Sequence, residues 1–81
     1  MTKFDKLQAL VNEAYGQGAI ILNSNDDTVL IKYLKGGEYW EYVTARYNDY
    51  GLYSGNYYPC KYSDPAVVSK QAKQNYFERT K

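Results

Sequence analysis

Two adjacent glycines, Gly36-Gly37, separate two runs rich in β-branched and aromatic residues, Thr28 to Lys35 and Glu38 to Tyr47. Such a pair is a two-residue hairpin signal, because glycine alone adopts both positive-φ turn positions without strain. The hairpin fixes a register with its own internal test. With Lys35 opposite Glu38, Leu34 faces Tyr39, Tyr33 faces Trp40, Lys32 faces Glu41, Ile31 faces Tyr42 and Leu30 faces Val43. One sheet face then carries Val29, Ile31, Tyr33, Trp40 and Tyr42, and is the expected core. The other carries Leu30, Leu34, Tyr39 and Val43 around the opposite-charge pair Lys32–Glu41. Complementary cross-strand pairs of this kind support the register.

The flanking elements follow from local signals. Thr2-Lys3-Phe4-Asp5 resembles a capping box with Asp in place of Glu. Phe4, Leu7, Leu10, Val11 and Ala14 form one stripe of 3.6-residue period, which predicts a helix over residues 3–15, ended by Gly16 and Gly18. Residues 19–23 read as a short strand, and Asn23-Ser24-Asn25-Asp26-Asp27 as a turn. Asn48-Asp49-Tyr50-Gly51 is a second turn. Beyond it, Ser54-Gly55-Asn56 breaks the pattern and Pro59 excludes a central strand, so a loop with one short edge strand at 57–62 is expected. Ser63-Asp64-Pro65 starts a helix over 65–79, with Val68, Ala72 and Tyr76 recurring at helical spacing beside Val67 and Phe77. The order α-β-β-β-(β)-α defines an α+β class, with an antiparallel sheet and terminal helices in a single domain over 1–81. Two placements of the helices remain open: both on the Trp40 face, or one on each face, which would bury Leu30 and Val43.

Composition narrows the function. With 44% hydrophobic and 23% charged residues the chain is built to fold. Its longest apolar run is Ala19-Ile20-Ile21-Leu22, and a membrane span needs about 20 such residues. No apolar stretch follows Met-Thr-Lys-Phe-Asp-Lys, and Cys60 stands alone, so a cytoplasmic protein without secretory signal or disulfide is expected. A net charge of +1 is far from that of a dedicated duplex-DNA binder. Histidine is absent, which removes Ser–His and Cys–His nucleophile activation and most zinc geometries. Asn23, Asn25 and Asp27 alternate as calcium-loop ligands do, but Thr28 and Leu34 stand where that loop needs Gly and Glu. Gly16-Gln17-Gly18 follows a helix instead of opening one, so it is no phosphate cradle. Glu38 and Glu41 fall on opposite strand faces, and Asp26 and Asp27 in a turn. A neighbouring Lys61 could lower the Cys60 thiol pKa, while a small half-buried apolar role is the commoner fate of a lone cysteine. No enzyme activity, metal or cofactor is expected.

Tyrosine is the outlier. It occurs 11 times, and nine of those (Tyr33, Tyr39, Tyr42, Tyr47, Tyr50, Tyr53, Tyr57, Tyr58, Tyr62) crowd between positions 33 and 62. One small core cannot hold them all. Tyr39, Tyr47, Tyr50, Tyr53, Tyr57 and Tyr58, with Arg46 and Lys61, are therefore the expected partner-binding residues, since tyrosine gives large contact area at low entropy cost. The expected function is a non-catalytic protein-binding module. It would act as a small inhibitor or accessory factor, a type that includes phage-encoded antagonists of host defence enzymes such as anti-CRISPR-like proteins. The rival is binding of single-stranded nucleic acid or a nucleotide by stacking on Tyr39 and Tyr47 beside Arg46 and Lys61. Homodimerisation through Leu30, Leu34, Tyr39 and Val43 is compatible with either. The order α-β-β-β-α with Ser69-Lys70-Gln71-Ala72-Lys73 also resembles a double-stranded-RNA-binding domain, which would make Lys70 and Lys73 phosphate contacts. That family's Gly-Pro-x-His element is replaced here by Asn25-Asp26-Asp27, and Asp64-Pro65-Ala66 stands before the last helix in place of a glycine-containing basic segment.

Overall fold

In the computed structural model, which describes residues 2–80, six elements follow one another. They are α1 (Lys3–Tyr15), β1 (Ile20–Ser24), β2 (Thr28–Lys35), β3 (Tyr39–Asn48), β4 (Gly51–Pro59) and α2 (Pro65–Arg79). The strands form one antiparallel sheet in the order β1-β2-β3-β4. The chain is a small single α+β domain.

Both helices start on the caps their sequences encode. Thr2 Oγ1 accepts from the Asp5 amide (3.1 Å), and the Asp5 carboxylate accepts from the Thr2 amide (3.2 Å). Asp64 accepts from the Ala66 amide (2.9 Å), with Pro65 opening α2. Each cap contributes about 1 kcal/mol. Of the predicted α1 stripe only Leu7 and Val11 are buried; Phe4 and Ala14 are exposed and Leu10 half-buried.

One helix lies on each face of the sheet. Leu7 and Val11 of α1 pack with Ala19, Val29, Ile31, Tyr33, Val43, Ala45 and Tyr47. Val68, Ala72 and Tyr76 of α2 pack with Leu30 and Tyr42 on the other side.

The β2–β3 register differs from the expected one by a single residue. Glu38 donates its amide to the Lys35 carbonyl (3.0 Å), and Gly36 and Gly37 both take positive φ, as a glycine turn requires. Yet Glu38 stays outside the ladder and Lys35 pairs with Tyr39. It follows that Leu34 faces Trp40, Tyr33 faces Glu41, Lys32 faces Tyr42, Ile31 faces Val43 and Leu30 faces Thr44. A one-residue slip sends every side chain of a strand to the opposite face. The α1 face therefore holds Val29, Ile31 and Tyr33 against Ala45, Val43 and Glu41. Trp40 leaves the expected core for the α2 face, and Lys32–Glu41 is not a pair. The gain is a continuous, fully buried layer of Val29, Ile31, Val43 and Ala45.

The cost is a buried carboxylate. Glu41 is 3% exposed. Tyr33 donates its hydroxyl to Glu41 Oε1, and Lys35 Nζ stands 3.8 Å from the same oxygen. The Tyr15 ring packs on Tyr33 at 4.8 Å, and the Tyr15 and Tyr57 hydroxyls lie 3.2 Å apart. Burial, reinforced by Glu41, holds the Tyr33 hydroxyl above the ordinary tyrosine range; burial and the Tyr57 hydroxyl do the same for Tyr15. In the unfolded chain both ionise near pH 10. Above that pH the unfolded state binds fewer protons than the folded one, so stability falls as pH rises and is complete below it. The urea midpoint is expected to hold from about pH 7 to 9 and then drop, less steeply in Tyr33→Phe. A flat profile to about pH 11 would contradict the burial of these hydroxyls.

β4 is also longer than expected. Ser54-Gly55-Asn56 does not break it: Ser54 and Gly55 together oppose Ala45 as a bulge, with Ser54 at φ 54°. An edge strand accommodates the extra residue because only one side is paired. Arg79 closes the bulge from α2, donating to the Ser54 carbonyl (2.6 Å) and to the Thr44 carbonyl (3.0 Å). The strand ends at Pro59, so the expected 57–62 segment is strand only in its first part. β1 carries a second bulge at Leu22, between the Ile21–Ile31 and Asn23–Leu30 pairs.

Candidate interaction surface

The eight predicted binding residues do not form one surface. Tyr47 is in the α1-side core, 8% exposed, and its hydroxyl donates to the Asn25 carbonyl. Arg46 is half-buried and pairs with Asp27 (3.3 Å). Tyr50 sits almost free on the β3–β4 turn, 95% exposed, and Tyr53 stands opposite Arg46 on the α2 side. Tyr57 is on the α1 face, its ring folded back over Gly55, where no side chain intervenes. Tyr58 faces Tyr42 and packs against the α2-side core. Tyr39 is half-buried, with Lys61 Nζ 5.5 Å from its ring centre and equally far from that of Tyr62. Tyr39 and Arg46 lie at opposite ends of β3, about 23 Å apart at the strand's rise per residue. The stacking platform of Tyr39, Tyr47, Arg46 and Lys61 is thus not assembled. The dimer face fails for a related reason: Leu30 is buried under α2 and Val43 in the opposite layer.

What the structure does assemble is a different cluster, at the hairpin end of the α2 face. The first buried residue of α2, Val68, packs over Leu30 and Tyr42. Beyond it the sheet is uncovered. The cross-strand pair Leu34–Trp40 is 45% and 39% exposed, and Ile20, opposite Lys32 on the same face, is 47% exposed. Lys32 lies between them, its Nζ 4.6 Å from the Trp40 ring centre and 5.7 Å from that of Tyr42. A cation over two ring faces is held by their quadrupoles while its N–H groups stay free to donate. Cys60 borders this cluster, its amide bonded to the Trp40 carbonyl (2.9 Å). Burial pushes its thiol pKa up, more than Lys32 pulls it down, so it is no activated thiolate. Trp40 escapes sequence reasoning because the unshifted register places it inside; Leu34, expected on a dimer face, is exposed beside it on the part of the sheet that α2 leaves open.

Two hollows lie elsewhere, flanking the first turns of α1. One of about 280 Å³ separates α1 from the β3–β4 turn and is lined by Lys6, Leu7, Leu10 and Asp49 among others. One of about 210 Å³ lies towards Asn25 and Asp26. Among the described residues no group of three or more His, Cys, Asp and Glu is close enough to hold a metal ion. None of the described helices is long and apolar enough to cross a membrane.

Comparison with protein-family models, with curated protein sequences and with solved structures gives no match for this chain. The observed order α-β-β-β-β-α has one strand more than the α-β-β-β-α order on which the resemblance to double-stranded-RNA-binding domains rests.

Proposed function

We propose that this protein is a non-catalytic protein-binding module, of the kind that serves as a small inhibitor or accessory factor. It docks through the open end of the α2 face. The observation that carries this reading is the exposed cross-strand pair Leu34–Trp40, with Ile20 beside it, on the part of the α2 face beyond Val68. Contiguous exposed apolar surface marks an interface, and tryptophan is among the residues most enriched at binding hot spots. Both sheet edges support a face-on mode, because the bulges in β1 and β4 are devices that discourage strand addition. Tyr53 and Tyr50, at the other end of β3–β4, are a separate exposed group. The cytoplasmic setting expected from the lone cysteine suits such a factor.

A tagged pull-down from source-cell lysate tests the reading, with nuclease-treated and untreated arms. The expected result is a stoichiometric protein partner that survives nuclease, is retained by a Tyr50→Ser/Tyr53→Ser/Tyr57→Ser variant and is lost with Leu34→Ser/Trp40→Ser. Retention by the Leu34/Trp40 variant would sink this surface. Nucleic acid that co-purifies, with every protein lost on nuclease treatment, would replace the protein partner by base stacking on Trp40.

A further inference from the structure

We infer that the occupant of this open end is an extended segment of a different protein, carrying a carboxylate beside a large apolar side chain. The inference rests on the protein-binding reading and names the partner's chemistry. Lys32 supplies the charge argument. The ion pairs among the described residues are Lys3–Asp26, Lys35–Glu41 and Arg46–Asp27, and Lys32 belongs to none of them. It is half-buried and seated on Trp40 and Tyr42, and its ammonium makes no hydrogen bond or ion pair among the described residues. A carboxylate above the sheet meets that ammonium while an adjacent apolar side chain covers Leu34 and Trp40.

The surroundings exclude the other occupants. A phosphate chain needs a track of cations. Lys35 is turned to Glu41 on the other face and Lys61 to Tyr39 and Tyr62, which leaves one cation for one carboxylate. A second copy of the chain would dock isologously, bringing the same patch against itself. Two Lys32 ammoniums would then share one small interface with no carboxylate of the patch to answer them. The area also argues against a dimer. Leu34, Trp40 and Ile20 together leave on the order of 250 Å² open, given the roughly 150–250 Å² that a large side chain can bury. A stable protein–protein interface needs about 800 Å² per partner. The patch is the size of a peptide anchor.

Panning a random-peptide phage library on the folded full chain tests this, followed by titration of the enriched peptide into isotope-labelled protein. Enriched sequences are expected to carry Asp or Glu within a residue or two of Leu, Ile, Phe or Trp, and to shift the amide signals of residues 32–34 and 40–42. Lys32→Met, which keeps the apolar stem, is expected to weaken the peptide about tenfold, the value of one charge-assisted hydrogen bond. Trp40→Ala is expected to abolish binding. Acid-free consensus sequences, or equal affinity for Lys32→Met, overturn the carboxylate. Shifts confined to Tyr50, Tyr53 and Tyr57 overturn the site and leave a protein-binding module standing. A Trp40-dependent dimer in sedimentation overturns the foreign partner. An oligothymidylate that shifts residues 32–42 while no peptide is enriched overturns both the inference and the reading beneath it.

Discussion

Tyr33→Phe is expected to lower the stability of the fold by about 2–3 kcal/mol, although it removes a single oxygen atom. The ring remains and its packing on Tyr15 is unchanged. What is lost is the donor to Glu41, a carboxylate 3% exposed within an otherwise apolar layer. Lys35, at 3.8 Å and half exposed, is the other group that faces it. Removing one partner of a buried polar pair costs more than the pair contributes, because the remaining charge keeps its desolvation penalty. The double variant Tyr33→Phe/Glu41→Leu is therefore expected to recover to within about 1 kcal/mol of the parent, with Glu41→Leu alone in between. Urea denaturation of the four proteins closes the cycle. If Tyr33→Phe alone costs less than about 0.5 kcal/mol, Glu41 is not a buried charge that depends on its neighbour.

The same pair bears on the proposed docking surface through register. Glu41 meets Tyr33 and Lys35 only when Lys35 is paired with Tyr39. Slipped by one residue, Glu41 would face Lys32, and Trp40 would turn away from the open end of the α2 face. The carboxylate that looks like a defect of the core is thus matched to the arrangement that exposes Trp40.

Helix ends are legible in this sequence because caps are local: Thr2 and Asp64 act within three residues of themselves. The register is not, because Gly36-Gly37 makes the same Glu38-to-Lys35 hydrogen bond whether or not Glu38 joins the ladder. A charged pair, Lys32–Glu41, favours the wrong choice. An exposed pair of that kind contributes under 1 kcal/mol. Burying a layer of Val29, Ile31, Val43 and Ala45 under α1 contributes several, at roughly 25 cal/mol per Å². Long-range packing wins, and it is invisible in a hairpin taken alone. β4 is missed for a similar reason. Ser54-Gly55-Asn56 is poor strand chemistry, and the group that secures it, Arg79, lies 25 residues away on α2. The tyrosine count marks which segment is aromatic and not which rings stay outside: Tyr47 is core, Tyr58 packs on the α2 side, and Tyr50, Tyr53 and Tyr57 are exposed but divided between the turn and the two sheet faces.

The open end exists because α2 starts where it does, and α2 is anchored by three side chains. Val68 and Ala72 are small; Tyr76, 3% exposed, supplies most of the apolar area that the helix buries against Leu30 and Tyr42. Tyr76→Ala is expected to cost about 3–5 kcal/mol, the usual price of deleting a buried aromatic ring. For a chain of this length total stability is about 4–12 kcal/mol, so the variant is left marginal. The melting temperature is expected to fall by roughly 15–30 °C. The polar contacts at the far end of the helix do not make up the loss. Arg79 on Thr44 and Ser54, and Asn75 between Thr44 and Asn56, fix the angle of α2 and add little net free energy. Tyr76→Phe, which keeps the ring, is expected to lie within about 1 kcal/mol of the parent. Where Tyr76→Ala lets α2 lift, Leu30 and Tyr42 join the Trp40 patch, and the widened surface is expected to bind a hydrophobic dye that the parent does not. A melting temperature unchanged in Tyr76→Ala would mean that α2 does not close that half of the sheet. The boundary of the proposed docking surface would then have to be drawn by something other than the helix.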